Sequence, residues 1–125
     1  MLTMDARKRI LVIDDEPRIC KLLEIKLSIS GYETIITTSG AEAIELVRTK
    51  SPDAILLDVV MPDISGLDVL DQVRKFSKVP IIVFTGRPEI AKIAKRFGAN
   101  DYISKPFDPD LLVEKIKVVL GTNSK

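Results

Sequence analysis

Five polar residues each stand just beyond a short apolar run: Asp14 and Asp15 after residues 10–13, Asp58 after 54–57, Thr85 after 81–84, and Lys105 after 102–104. If those runs are neighbouring strands, three carboxylates, a hydroxyl and an ammonium meet on one edge of a sheet. Carboxylates held together repel one another, and an all-oxygen set lacking histidine and cysteine suits a hard cation such as Mg²⁺. Mg²⁺ takes one or two protein carboxylates with phosphate oxygens and water, which leaves one carboxylate free as a nucleophile. Asp58, on the central run, fits that part. Phosphoryl transfer to its oxygen depends mostly on positioning and on cations, so Lys105 supplies a charge. Thr85 supplies a hydroxyl donor, and Gly86 beside it leaves room for the group to enter.

The elements that must position these residues are legible in the hydrophobic pattern. The runs at 10–13, 54–57 and 81–84 are apolar on both faces, as strands covered by helices on either side of a parallel sheet should be. Weaker runs at 34–38 and 102–104 predict two further strands. Between them, helical spacing places Ile19, Leu22, Leu23 and Leu27 on one face, then Ile44 with Val47, and Leu70 with Val73. Ile90, Ile93, Ala94 and Phe97 mark a fourth helix, and Leu112, Ile116, Val119 and Leu120 a fifth. Ser39 with Glu42 and Ser65 with Asp68 match capping boxes, Asp108 precedes Pro109 as an N-cap would, and Gly98 and Gly121 suit helix ends. Five strand–helix alternations with right-handed crossovers predict an α/β fold: one doubly wound, five-stranded parallel sheet, flavodoxin-like, in the order 2-1-3-4-5.

Composition narrows the classes. A chain of 125 residues that is 46% hydrophobic suffices for one domain, expected to have its core at about 9–120, with loose tails at 1–7 and 122–125. The net charge of +1 provides no global field for nucleic acid or anionic lipid. One cysteine, Cys20, and no histidine make neither an internal disulfide nor a zinc site, and Cys20 reads as a small packing residue. No apolar run approaches the ~18 residues of a membrane span and no signal-peptide core is present, so the expectation is a soluble cytoplasmic protein.

Asp14-Asp15-Glu16-Pro17, Leu57-Asp58-Val59-Val60-Met61-Pro62 with Gly66, Thr85-Gly86, and Lys105-Pro106-Phe107 follow one another at the spacing of a known family. From about Arg9 to Leu120 the chain resembles the response-regulator receiver family, the phosphoacceptor half of two-component signalling. Each motif alone is common; four at the right strand ends are specific. The resemblance implies that Asp58 accepts phosphate from a histidine kinase or phosphotransfer protein. Asp15, Asp58 and the Val60 carbonyl would bind Mg²⁺ directly, and Asp14 through a metal-bound water. Thr85 and Lys105 would bind the phosphoryl oxygens, and the Lys105-Pro106 peptide looks like the family's cis bond. Tyr102 matches the switch aromatic that turns inward as Thr85 moves. Partners would be that kinase and a downstream effector or output domain on the helix 4–strand 5–helix 5 face, with a phosphorylation-dependent dimer in prospect. The resemblance implies no direct nucleic-acid or membrane contact. Gly86 departs from the family's more usual alanine, and Val60 and Arg87 occupy positions that tune dephosphorylation.

Plainer readings compete. Asp14 and Asp15 could cap the first helix, Thr85 could end a strand, Tyr102 could only pack its ring, and Lys92, Lys95 and Arg96 read as a solvated helix face. Haloacid-dehalogenase-like phosphatases also use an aspartyl nucleophile but need a second Asp where this chain has Val60. A dinucleotide site would need a glycine-rich turn after the first strand. The remaining alternative is a receiver-fold interaction module that works without phosphorylation.

Overall fold

The computed structural model describes residues 7–121, so apart from Arg7 the expected tails at 1–7 and 122–125 lie outside the described residues. The chain alternates β1 (Arg9–Ile13), α1 (Pro17–Ile29), β2 (Glu33–Thr37), α2 (Gly40–Lys50), β3 (Ala54–Asp58), α3 (Gly66–Arg74), β4 (Ile81–Thr85), α4 (Pro88–Arg96), β5 (Asp101–Ser104) and α5 (Pro109–Leu120). All four pairings are parallel and the strand order is 2-1-3-4-5, as the alternation predicts. The two weak strands each begin one residue earlier than their apolar runs, at Glu33 and Asp101, because pairing extends to polar residues at the sheet margins.

Alternate side chains of the central strands face opposite layers. Ile10, Val12, Leu56, Ile82 and Phe84 pack with Leu23, Leu27, Leu112 and Ile116 of α1 and α5. Leu11, Ile13, Ile55, Leu57, Ile81 and Val83 pack with α2, α3 and α4 through residues such as Val47, Leu70 and Ala94. Burying both faces explains why β3 and β4 are buried at every position. Two residues assigned to apolar faces are instead half exposed: Leu22, whose neighbours Cys20, Leu23 and Leu27 fill the contact, and Phe97, which lies just past α4.

The helix ends follow the local chemistry, except that the capping boxes are half made. The side chains of Ser39, Ser65 and Asp108 accept from the amides of Glu42, Asp68 and Asp110. The reciprocal bond of a capping box forms at neither α2 nor α3; at α2 the Thr37 hydroxyl donates to Glu42, and the Ser39 amide donates to Thr37 Oγ1. Gly98 and Gly121 adopt the left-handed conformation after α4 and α5.

Candidate functional site

Every strand of this sheet points its carboxyl end at the same edge, so β1, β3, β4 and β5 deliver their flanking residues to one place. Asp14, Asp15 and Asp58 each offer a carboxylate oxygen within 4.8 Å of the others. Asp14 and Asp58 are buried and Asp15 is exposed. Lys105 Nζ lies 3.4 Å from Asp58 Oδ1 and 3.6 Å from Asp14 Oδ2. The sequence expectation that distant acids meet a lysine is met.

Burial sets the electrostatics. Desolvation, reinforced by the neighbouring Asp58 and Asp15 carboxylates, pushes Asp14 up to about 6, against the Glu16 amide and Lys105. Asp58 is raised by burial as well, while Lys105 and the Val60 amide pull the other way. Asp14 Oδ1 accepts the Glu16 amide at 2.8 Å, but the buried Oδ2 accepts no hydrogen bond. A buried carboxylate oxygen without a donor, among three acids and with Lys105 nearby, fits a hard divalent cation such as Mg²⁺. Neither aspartate caps α1: its N-cap is Glu16, which makes no side-chain cap bond. The plain capping reading therefore falls. Cys20 packs beneath, its thiol donating to the Asp14 carbonyl and pushed up to about 11 by burial, which leaves it unreactive.

The other expected residues lie around this centre. The Val60 amide donates to Asp58 Oδ1 at 3.3 Å, while its side chain is exposed. Thr85 is buried at the end of β4, where its Oγ1 accepts the Arg87 amide at 3.1 Å and its carbonyl accepts the Lys105 amide at 3.0 Å. Lys105-Pro106 is cis. Tyr102 stands apart on edge strand β5, 40% exposed, in a groove of about 310 Å³ shared with Pro106, Phe107 and Leu111. Arg87 turns to solvent and pairs with Glu89 at 2.9 Å. Lys92, Lys95 and Arg96 form the exposed face of α4.

Two glycines differ in what surrounds them. A Cβ on Gly86 would meet Lys105 only at an ordinary 3.9 Å, so packing against the chain's own atoms does not require glycine there. A Cβ on Gly66 would collide with the Asp58 carbonyl and the Val59 Cα, because the Gly66 amide donates to Val59 O at 2.7 Å. Gly66 thus lets α3 begin directly against the Asp58 loop. Sequence reasoning did not single out Asp63, whose carboxylate accepts from Ser39 Oγ and from the Gly40 and Ala41 amides and is held down at about 2 by those bonds. It ties the β3–α3 loop to the start of α2 across 23 residues of sequence, and no local pattern announces such a bond.

The comparisons agree with this geometry. A family model described as "Response regulator receiver domain" matches residues 10–117. The chain is 41% identical over 121 residues to a probable transcriptional regulator ycf27 of Porphyra purpurea, covering 95% of this chain and 50% of that protein. It is 37% identical over 119 residues to the DNA-binding response regulator MtrA of Mycolicibacterium smegmatis, covering 94% and 52%. The chain thus spans about half the length of these curated relatives. A putative response regulator from Chloroflexus aurantiacus superposes with a TM-score of 0.88 at 33% identity, covering 92% of this chain and 98% of that one. A CheY-like receiver domain protein from Methanospirillum hungatei gives 0.88 at 31% identity, covering 94% and 96%. Among the described residues, no helix is long and apolar enough to cross a membrane.

Proposed function

Because the chain belongs to the response-regulator receiver-domain family, we propose that it accepts a phosphoryl group on Asp58 from a histidine kinase or phosphotransfer protein. The observation that carries this reading is the meeting of three carboxylates within 4.8 Å with one lysine ammonium against two of them. An Asp58 oxygen attacks phosphorus, the bond to the donor atom breaks, and the donor leaves with the electron pair. Asp14, Asp15, Asp58 and the Val60 carbonyl would hold Mg²⁺, which when bound supplies neutralising charge for the phosphoryl oxygens. Lys105 supplies the second charge and Thr85 a hydroxyl bond.

The same contacts make the switch. The Thr85 hydroxyl oxygen now accepts the Arg87 amide at the start of α4. Turning it toward a phosphoryl oxygen trades that bond and frees the loop, while Tyr102 moves inward from its exposed position. A partner-binding surface of α4, β5 and α5 then changes, for an effector, an output domain or a phosphorylation-dependent dimer. The unit of about 9–120 works in the cytoplasm as a signalling domain without binding nucleic acid itself, and its catalysis is confined to its own phosphorylation and slow hydrolysis.

Mass spectrometry after incubation with acetyl phosphate and Mg²⁺ tests this. One added phosphoryl group in the wild type and none in Asp58→Asn is the expected result. No incorporation would instead favour an interaction module that works without phosphorylation.

A further inference from the structure

Beneath the acidic centre lies a contact with no part in the chemistry above. Phe84 is 1% exposed and pairs in register with Asp58 across β3 and β4. The Lys105 ammonium sits over its ring, 4.8 Å from the centroid. Phe107 stands perpendicular to the same ring, with centroids 5.9 Å apart and an interplanar angle of 89°. The segment Lys105-Pro106-Phe107 therefore brackets a single side chain, and that side chain immediately precedes Thr85.

We propose that Phe84 is a positioning residue that holds the Lys105 ammonium over its ring face, where the phosphoryl oxygens arrive. The proposal rests on the reading of Lys105 as a phosphoryl-binding group. A lysine carries a compact charge on a flexible stem, so keeping it at one point needs contacts along and beyond the backbone. The Lys105 amide bond to Thr85 O fixes only the main chain. Its two ion pairs, at 3.4 and 3.6 Å, are with carboxylates that a divalent cation would also claim. The ring face is not contested in that way, because its attraction comes from the aromatic quadrupole and grows where water is excluded. Leucine at position 84 would fill the core yet offer no such face. Phe84 also links the two phosphoryl-binding groups, being adjacent to Thr85 in the chain and under Lys105 in space.

Two measurements test the proposal. In the metal-free, unphosphorylated protein, the Lys105 ε-methylene protons are expected upfield by the ring current, and Phe84→Leu returns them to the position of an ordinary lysine. Incorporating mono-, tri- and pentafluorophenylalanine at position 84 preserves the shape of the ring while removing its negative face. The phosphorylation rate at saturating acetyl phosphate and Mg²⁺ is expected to fall in step with fluorination, by roughly three- to tenfold overall, with melting temperature retained. In Lys105→Met the fluorinated series is expected to show no trend. Unshifted ε-methylene protons, or a flat series in a wild type that is phosphorylated, would overturn the role of Phe84. A wild type that takes no phosphoryl group but keeps the upfield shift would instead sink the functional reading beneath it, and the positioning role with it.

Discussion

Burying Asp14 beside two other acids makes the metal-free protein lose stability as pH rises, the reverse of most carboxylate effects. Asp14 is held up at about 6 from an ordinary 3.8, chiefly by burial. A folded pKa above the unfolded one means that the folded state binds more protons. The stability this contributes is fully present below about 3.8 and is lost as pH rises through about 6. At about 1.4 kcal/mol per pKa unit, the full loss is about 3 kcal/mol, of which a little under half falls between about pH 5 and about pH 7.5. Asp58, also raised, steepens the same slope. The chain has no histidine to titrate in that window, burial pushes Cys20 up to about 11, and hydrogen bonds hold the carboxyls of Asp63 and Glu89 below it. Urea unfolding in EDTA at the two pH values reads the slope. Asp14→Asn keeps an acceptor for the Glu16 amide, so it is expected to flatten the slope and to stabilise the metal-free protein at about pH 7.5 by up to about 3 kcal/mol. Added Mg²⁺ should recover stability in the wild type at that pH. A wild-type stability that holds or rises between the two pH values, or an Asp14→Asn slope as steep as the wild type's, would refute the reasoning.

Other perturbations have equally direct readouts. Gly66→Ala drives a methyl group into the Asp58 carbonyl and is expected to cost about 1–3 kcal/mol in chemical denaturation and to weaken Mg²⁺ binding by calorimetry. Asp63→Ala removes the acceptor for two amides and a hydroxyl at the start of α2, so the melting temperature should drop at neutral pH. Because the Asp63 pKa is depressed, the gap between mutant and wild type should close as pH falls toward about 2. Arg74→Met deletes donors to the Gly98 and Ser77 carbonyls and to Asn100 Oδ1, with an expected loss of about 1–3 kcal/mol and faster hydrogen exchange at Gly98 and Asn100.

What the sequence disclosed followed from what is local or periodic. Short runs apolar on both faces, alternating with helical patterns, pointed to covered strands, and five such units with right-handed crossovers favoured the sheet order that brings Asp14, Asp15, Asp58 and Lys105 together. Bonds between residues far apart in sequence did not follow. Nothing near Asp63 predicts its reach to Gly40, and Glu42 left its capping box because Thr37, at the end of β2, offered a closer partner. Gly86 and Gly66 look alike as letters; only the distance from an added Cβ to the Asp58 loop shows that Gly66 is the one whose protein surroundings exclude a side chain. Phe84 read as one more core residue, since its ring is useful only through a lysine whose placement depends on the next strand.

The guanidinium of Arg74 gives α4 an anchored tail. It grips Gly98 just past the helix at 3.0 Å, while at the other end Ile90 and Ala91 pack inward and the Arg87 amide donates to Thr85 Oγ1. A rod gripped at its tail pivots there when a bond at its tip is released. With nine residues and roughly 1.5 Å of rise each, the lever arm is about 13 Å, so about 1 Å of travel at the tip becomes a tilt of roughly 4° along its solvent side.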